Sequence, residues 1–141
     1  MDARIRDSFA RQRIMATLGA TITSIAPGEV VLALPFREDL TQQHGFLHAG
    51  VIATVLDSAC GYAALSTMPA DAGVLSIEFK TNLLAPARGE SFRVAGRVLK
   101  PGRTIVVAEG QAFGQIDGVE KLVATMTCTL MCVVGRPGIE A

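Results

Sequence analysis

The sequence predicts an α+β fold in which one long antiparallel sheet carries a central helix on its apolar face. Three observations point there. The run from Ala49 to about Met68 is rich in Ala, Val, Ile and Leu and free of proline, long enough for about five helical turns. From Val74 onward the pattern changes to period two, and strand signals follow one another closely. Short Pro-Gly and Asp-Gly turns separate those strands, which pairs them as antiparallel neighbours. At 141 residues the chain fits one domain, with no internal repeat or low-complexity segment.

Each element has its own signal. In the N-terminal segment 1–18, Ile5, Phe9, Ile14, Met15 and Leu18 recur among charges, an imperfect amphipathic helix that Gly19 ends. "ATITSIAPGEVVLALP" places a Pro27-Gly28 turn between two β-prone runs and reads as a hairpin. The polar connection REDLTQQ leads to "HGFLHAGVIATVLDSACG", residues 44–61, which enters the long helix. Pro69 stops that helix. In "VLSIEFKTNLL", Leu75, Ile77 and Phe79 alternate with Ser76, Glu78 and Lys80, so the apolar face is expected to meet a core. Further strands are expected at about 90–100, 103–115 and 119–134, with turns at Pro101-Gly102 and Asp117-Gly118.

Composition narrows the setting. Half the residues are hydrophobic, yet no uncharged apolar stretch is long enough to span a bilayer. MDARIRDSFARQR lacks the apolar centre of a signal peptide, so a soluble, cytoplasmic protein is expected, without a membrane partner. Cys60, Cys128 and Cys132 are an odd set without C-x-x-C spacing, which suits reduced thiols. Thirteen acidic groups balance thirteen basic ones, leaving no global field to gather nucleic acid. The high apolar content suggests that a second subunit covers part of the surface.

The chemistry centres on the helix and its approach. A helix starting near His48 or Ala49 leaves its first N–H groups unpaired at the positive end of the dipole. Gly45 and Gly50 let a ligand come close to that backbone. Such an end either binds an anion or a developing oxyanion, or is an ordinary helix start with glycines for packing. Asp57 lies among Val55, Leu56, Ala59 and Cys60. It is either a desolvated acid available as base or nucleophile, or a solvated member of a narrow polar stripe with Thr54 and Ser58. His44 and His48 have i,i+4 spacing, but no further ligand cluster accompanies them, and no metal is expected.

Distance constrains how these groups work together. Ala49 and Asp57 are eight residues apart on one helix, about 12 Å along its axis. An oxyanion donor and an acid must each lie within roughly 3 Å of one reacting group. Acting on one substrate, they must therefore come from two chains with antiparallel helices, across a two-fold axis.

"HGFLHAGVIATVLDSACGYAAL", then "LSIEFKTNLLAPARGE" and "GRVLKPGRTIVVAEGQAF", resemble the hotdog-fold acyl-CoA thioesterases of the phenylacetate-pathway type. The likeness runs from about residue 29 to 134. It implies a long central helix wrapped by a curved antiparallel sheet, here with an extra N-terminal helix. It also implies homodimers whose sheets join edge to edge, and often tetramers.

The family motif is usually His-Gly-Gly followed by Asp or Glu on the helix. By that resemblance His48 is the motif histidine, and Ala49 takes the place of the glycine whose N–H polarises the thioester carbonyl. Gly50 is the second glycine and Asp57 the carboxylate, supplied by the opposite protomer. Gln42 falls where many relatives have Asn, and Ser76 where some have a Ser or Thr that orients the water. This chain departs from the family pattern at Ala49, whose methyl narrows the pocket, and at Gln42, whose amide reaches further.

The implied reaction is hydrolysis of a small aromatic or short- to medium-chain acyl-CoA, with Asp57 as base or nucleophile and no cofactor beyond the coenzyme A of the substrate. His48 is expected to hold the loop by hydrogen bonds. Gly45, Phe46 and Leu47, with Val55, Leu56 and Tyr62 on the helix, are the candidate lining of the acyl pocket. Lys80, Arg88, Lys100 and Arg103 are candidate contacts for the nucleotide phosphates, or solvated hairpin charges. An acyl-CoA sensor on the same fold is the alternative, in which Asp57 is only structural. A hotdog hydratase or dehydratase would use a histidine with an acid on a differently placed helix, and here neither histidine lies inside the helix.

Overall fold

The computed structural model describes residues 1–141. Two short helices, α1 (Asp2–Arg11) and α2 (Arg13–Leu18), precede the hairpin β1 (Thr21–Ala26) and β2 (Glu29–Pro35). The central helix α3 (Ala49–Leu65) follows, then β3 (Ala72–Leu83), β4 (Ser91–Lys100), β5 (Ile105–Ile116) and β6 (Val119–Val134). The six strands form one antiparallel sheet in the order β1-β2-β4-β5-β6-β3. The helix packs against β2 through β6, the hotdog arrangement that the sequence resemblance implies.

Burial explains why the helix sits there. Ile52, Val55, Leu56, Ala59, Cys60, Ala63 and Ala64 are buried, so α3 is apolar around most of its circumference. Its residues join Val30, Leu32, Leu34, Phe92, Val94, Met126 and Leu130 in a cluster of 29 buried residues. At its centre the helix and sheet touch backbone to backbone. A Cβ on Gly96 of β4 would collide with the Ala59 carbonyl, so only glycine permits this close approach.

Two expectations are corrected. The N-terminal segment is not one helix, because Gln12 is extended at φ −80°, ψ 90° and breaks it into α1 and α2. Gln12 turns its side chain to Ser58, whose hydroxyl donates to Gln12 Oε1 at 2.8 Å. Arg4 fixes α1 by donating to the carbonyls of Ala72 at 2.7 Å and Met68 at 3.4 Å.

The second correction concerns β3. Leu75, Ile77 and Phe79 do not share a core face; they are 43%, 52% and 48% exposed. Ser76 pairs with Leu130 and Glu78 with Thr129, leaving Ile77 as an extra, bulged residue. A bulge of one residue reverses the side-chain alternation, so Ser76 lies opposite buried Leu130 and Phe79 opposite buried Cys128. β3 is also an edge strand, with β6 on one side only.

Gly96→Ala is expected to lower stability by about 1–3 kcal/mol, through overpacking of the helix–sheet contact. Urea denaturation of variant and wild type checks this, and equal midpoints would contradict the close approach.

Candidate active site

The approach to α3 is a short closed loop. Gln42 N–H donates to Phe46 C=O at 2.8 Å, and Gly45 N–H to Gln42 C=O at 3.1 Å. Gly45 has φ +83°, a left-handed conformation that favours glycine. Gln42 Oε1 accepts from the N–H groups of His44 at 2.5 Å and Phe46 at 3.4 Å, so this amide oxygen shapes its own loop.

His48 caps the helix. Its Nδ1 accepts the Gly50 N–H at 2.8 Å, an arrangement that requires the lone pair on Nδ1 and leaves any ring proton on Nε2. A Cβ on Gly50 would lie 3.1 Å from that nitrogen, so the small residue makes room for the ring. The next N–H groups, of Val51 and Ile52, donate to His48 C=O. The Ala49 N–H has no acceptor within the chain and points out of an exposed helix start.

Ala49 borders a cavity of about 490 Å³. Gln42, Phe46, Leu47 and Ile52 line it on one side, and Leu84, Ala85, Pro86 and Val123 on the other. Pro86 also borders an adjoining cavity of about 440 Å³ that contains Arg88 and Lys121. The Arg88 guanidinium stands 5.3 Å over the Phe46 ring, which holds this cation beside the loop.

Asp57 lies elsewhere. Its Oδ1 accepts the Ser76 hydroxyl at 2.6 Å and faces the Cys128 Sγ at 3.8 Å. Ser76, on the same face of β3 as Ala72 and Val74 and just ahead of the bulge, supplies the donor to this carboxylate. Burial pushes the Cys128 thiol up from 9.0 to about 11; the Asp57 charge adds to the rise and the Ser76 hydrogen bond opposes it. Burial pushes Cys60 up further, with Cys128 and Asp57 acting in the same direction. Both sulfurs are therefore protonated near neutral pH, and Cys128 serves Asp57 as a weak donor.

Asp57 and Ser76 open into a separate cavity of about 440 Å³, lined also by Ser8, Gln12, Tyr62 and Glu140. Of the expected acyl-pocket residues, Tyr62 is there, while Phe46 and Leu47 border the cavity at the helix start. Val55 and Leu56 are a correction: both are fully buried against the sheet and line neither cavity. Lys80 is exposed on β3, and Lys100 and Arg103 flank the β4–β5 turn. That turn reaches Cys132 of β6, nine residues and about 30 Å of strand from Val123 beside Ala49, so one chain does not bring these cations to the helix start. No group of three or more His, Cys, Asp or Glu side chains is arranged to hold a metal ion.

Nothing in the sequence pattern points to Ser8, Gln12, Glu140 or Lys121. The first two were legible only as polar positions on an amphipathic helix.

The comparisons with known proteins agree with this frame. Residues 44–121, which hold His48, the helix and Ser76, match the model of the Thioesterase superfamily. A solved thioesterase family protein from Silicibacter pomeroyi is 57% identical, with a TM-score of 0.92, over 94% of this chain and 97% of that one. Acyl-coenzyme A thioesterase 13 from Homo sapiens is 33% identical over 72% of this chain and 68% of its own. The PaaI protein of the phenylacetic acid degradation operon of E. coli is 18% identical with a TM-score of 0.85 over 94% of this chain and 93% of that one, a likeness of fold. The chain belongs to the thioesterase superfamily. It is a thioester hydrolase on the hotdog fold.

Thiols held above their ordinary value make stability depend on alkaline pH. An unfolded thiol ionises near 9.0, so this contribution is complete below that pH and is lost as pH rises through about 11. Between those values wild type is expected to lose more stability than Cys128→Ala; parallel denaturation curves would contradict it.

Proposed function

We propose that the protein hydrolyses acyl-CoA thioesters at two equivalent sites of a homodimer, each built from the helix start of one protomer and Asp57 of the other. One observation carries this reading. The free Ala49 N–H and the hydrogen-bonded Asp57 lie on one helix eight residues apart, and they border two different cavities. About 12 Å of axial separation prevents one copy of α3 from placing both on a single carbonyl. A second helix running the other way brings the two half-sites together.

The edge strand supports the pairing. β3 leaves twelve residues of strand open on one side, with Leu75, Ile77 and Phe79 exposed along it. An apolar edge of that length pairs readily with a second copy. Two six-stranded sheets then continue into one, and dimers of this kind can pair again into tetramers.

In the resulting site the Ala49 N–H binds the thioester carbonyl oxygen and holds it more tightly as charge develops. Asp57 takes a proton from an attacking water, or attacks the carbonyl itself and is released by water. Either route breaks the C–S bond and yields a carboxylic acid and the free thiol of coenzyme A. Ser76 orients Asp57 and Cys128 supports it, while His48 and Gln42 fix the loop that carries Ala49. The apolar cavity at Ala49 suits the pantetheine arm, and Arg88 and Lys121 beyond Pro86 suit the phosphates.

Free-thiol release from a panel of acyl-CoAs tests this. Asp57→Asn is expected to lower kcat by a factor of about a thousand or more while leaving the fold unchanged. Arg88→Glu is expected to raise KM more than it lowers kcat. Full turnover by Asp57→Asn, or binding without turnover in wild type, would contradict the reading.

A further inference from the structure

The cavity behind Asp57 differs in kind from the apolar one at the helix start. Its roof is α1 and the break at Gln12, and its far wall is the next turn of α3 and the C-terminal segment. Ser8 Oγ and Tyr62 Oη lie 3.4 Å apart, and the Tyr62 ring is held by Phe9 at 5.7 Å between centroids. Two hydroxyls share two protons and four lone pairs, so one mutual hydrogen bond leaves each able to bond a third group. Gln12 adds an amide: its Oε1 is taken by Ser58, and its NH₂ has no acceptor within the chain.

Charge and length restrict what enters. Arg11 is the one cation lining the cavity, against the carboxylates of Asp57 and Glu140. That balance disfavours an acyl group ending in a second carboxylate and favours a neutral one. Asp57 and Tyr62 are five residues apart on α3, about 7.5 Å along the axis. An extended chain of about six carbons covers that distance. A plain alkyl end placed there would strip water from Ser8, Gln12 and Tyr62 without replacing its hydrogen bonds.

We propose that Ser8 and Tyr62, with Gln12 on the roof, select thioesters whose acyl group ends in a hydroxyl about six carbons from the carbonyl. The assignment rests on Asp57 being the reacting acid. α1 and the break at Gln12 then set specificity in addition to covering the core.

The test compares kcat/KM for 6-hydroxyhexanoyl-CoA and hexanoyl-CoA, and calorimetric affinities for the matched non-hydrolysable thioethers S-(6-hydroxyhexyl)-CoA and S-hexyl-CoA. Wild type is expected to favour the hydroxylated member by about tenfold, the worth of one net hydrogen bond. Tyr62→Phe, which keeps the ring against Phe9, and Ser8→Ala each bring the ratio towards one. Hydrolysis of both substrates without discrimination overturns this selection and leaves the role of Asp57 intact. Discrimination between the thioethers without hydrolysis of either thioester supports recognition of the hydroxyl by this cavity and overturns the hydrolytic reading that gives Asp57 its role. No preference in rate or affinity, or a ratio unchanged in both variants, also overturns the selection.

Discussion

At Ala59 the backbone of α3 rests on β4 with nothing between them but the hydrogens of Gly96. A helix seated this closely cannot roll or slide without colliding with the sheet. Its rotation fixes which residues are buried and which remain accessible. Val55, Leu56, Ala59 and Cys60 go to the core, whereas Asp57 and Gly61 reach the cavity on the other side. The same seating sets the helix start against segment 84–87, where Ala49 meets an apolar cavity. The positions of the Ala49 N–H and of Asp57 thus follow from packing that contains no polar group.

The polar parts of the site are arranged around that fixed helix. His48 takes one of the first N–H groups for itself, through Nδ1 and Gly50, while the neighbouring Ala49 N–H has no acceptor within the chain. Ser76 reaches Asp57 from the helix-facing side of β3, which it shares with Ala72 and Val74 just ahead of the bulge at Ile77. A carboxylate that accepts a hydroxyl and faces a thiol keeps a defined orientation, with apolar surroundings on the sheet side.

Much of this was legible in the sequence. A proline-free apolar run gave the helix to within a few residues, and turn residues separated the last three strands correctly. An acid among Val55, Leu56, Ala59 and Cys60 marked Asp57 as a residue needing a partner, and eight residues of helix marked its distance from Ala49. What could not be read depends on contacts between distant segments. The break at Gln12 answers to Ser58, 46 residues away. The bulge at Ile77 leaves the alternation of Leu75, Ile77 and Phe79 intact in the sequence while dividing it in space. The lining of the cavity by Ser8 and Glu140 arises because both ends of the chain fold onto the same side of α3, which no local pattern records.

The central claim is that one protomer supplies the oxyanion donor and the other the acid. It is tested most directly by mixing two inactive variants, Ala49→Pro, which removes the N–H at a helix position that tolerates proline, and Asp57→Asn. Unfolded together and refolded as a mixture, they are expected to recover about a quarter of wild-type activity, because about half the dimers are mixed and each has one intact site of two. Activity no greater than that of the separate variants, with mixed dimers demonstrably formed, would contradict the shared site.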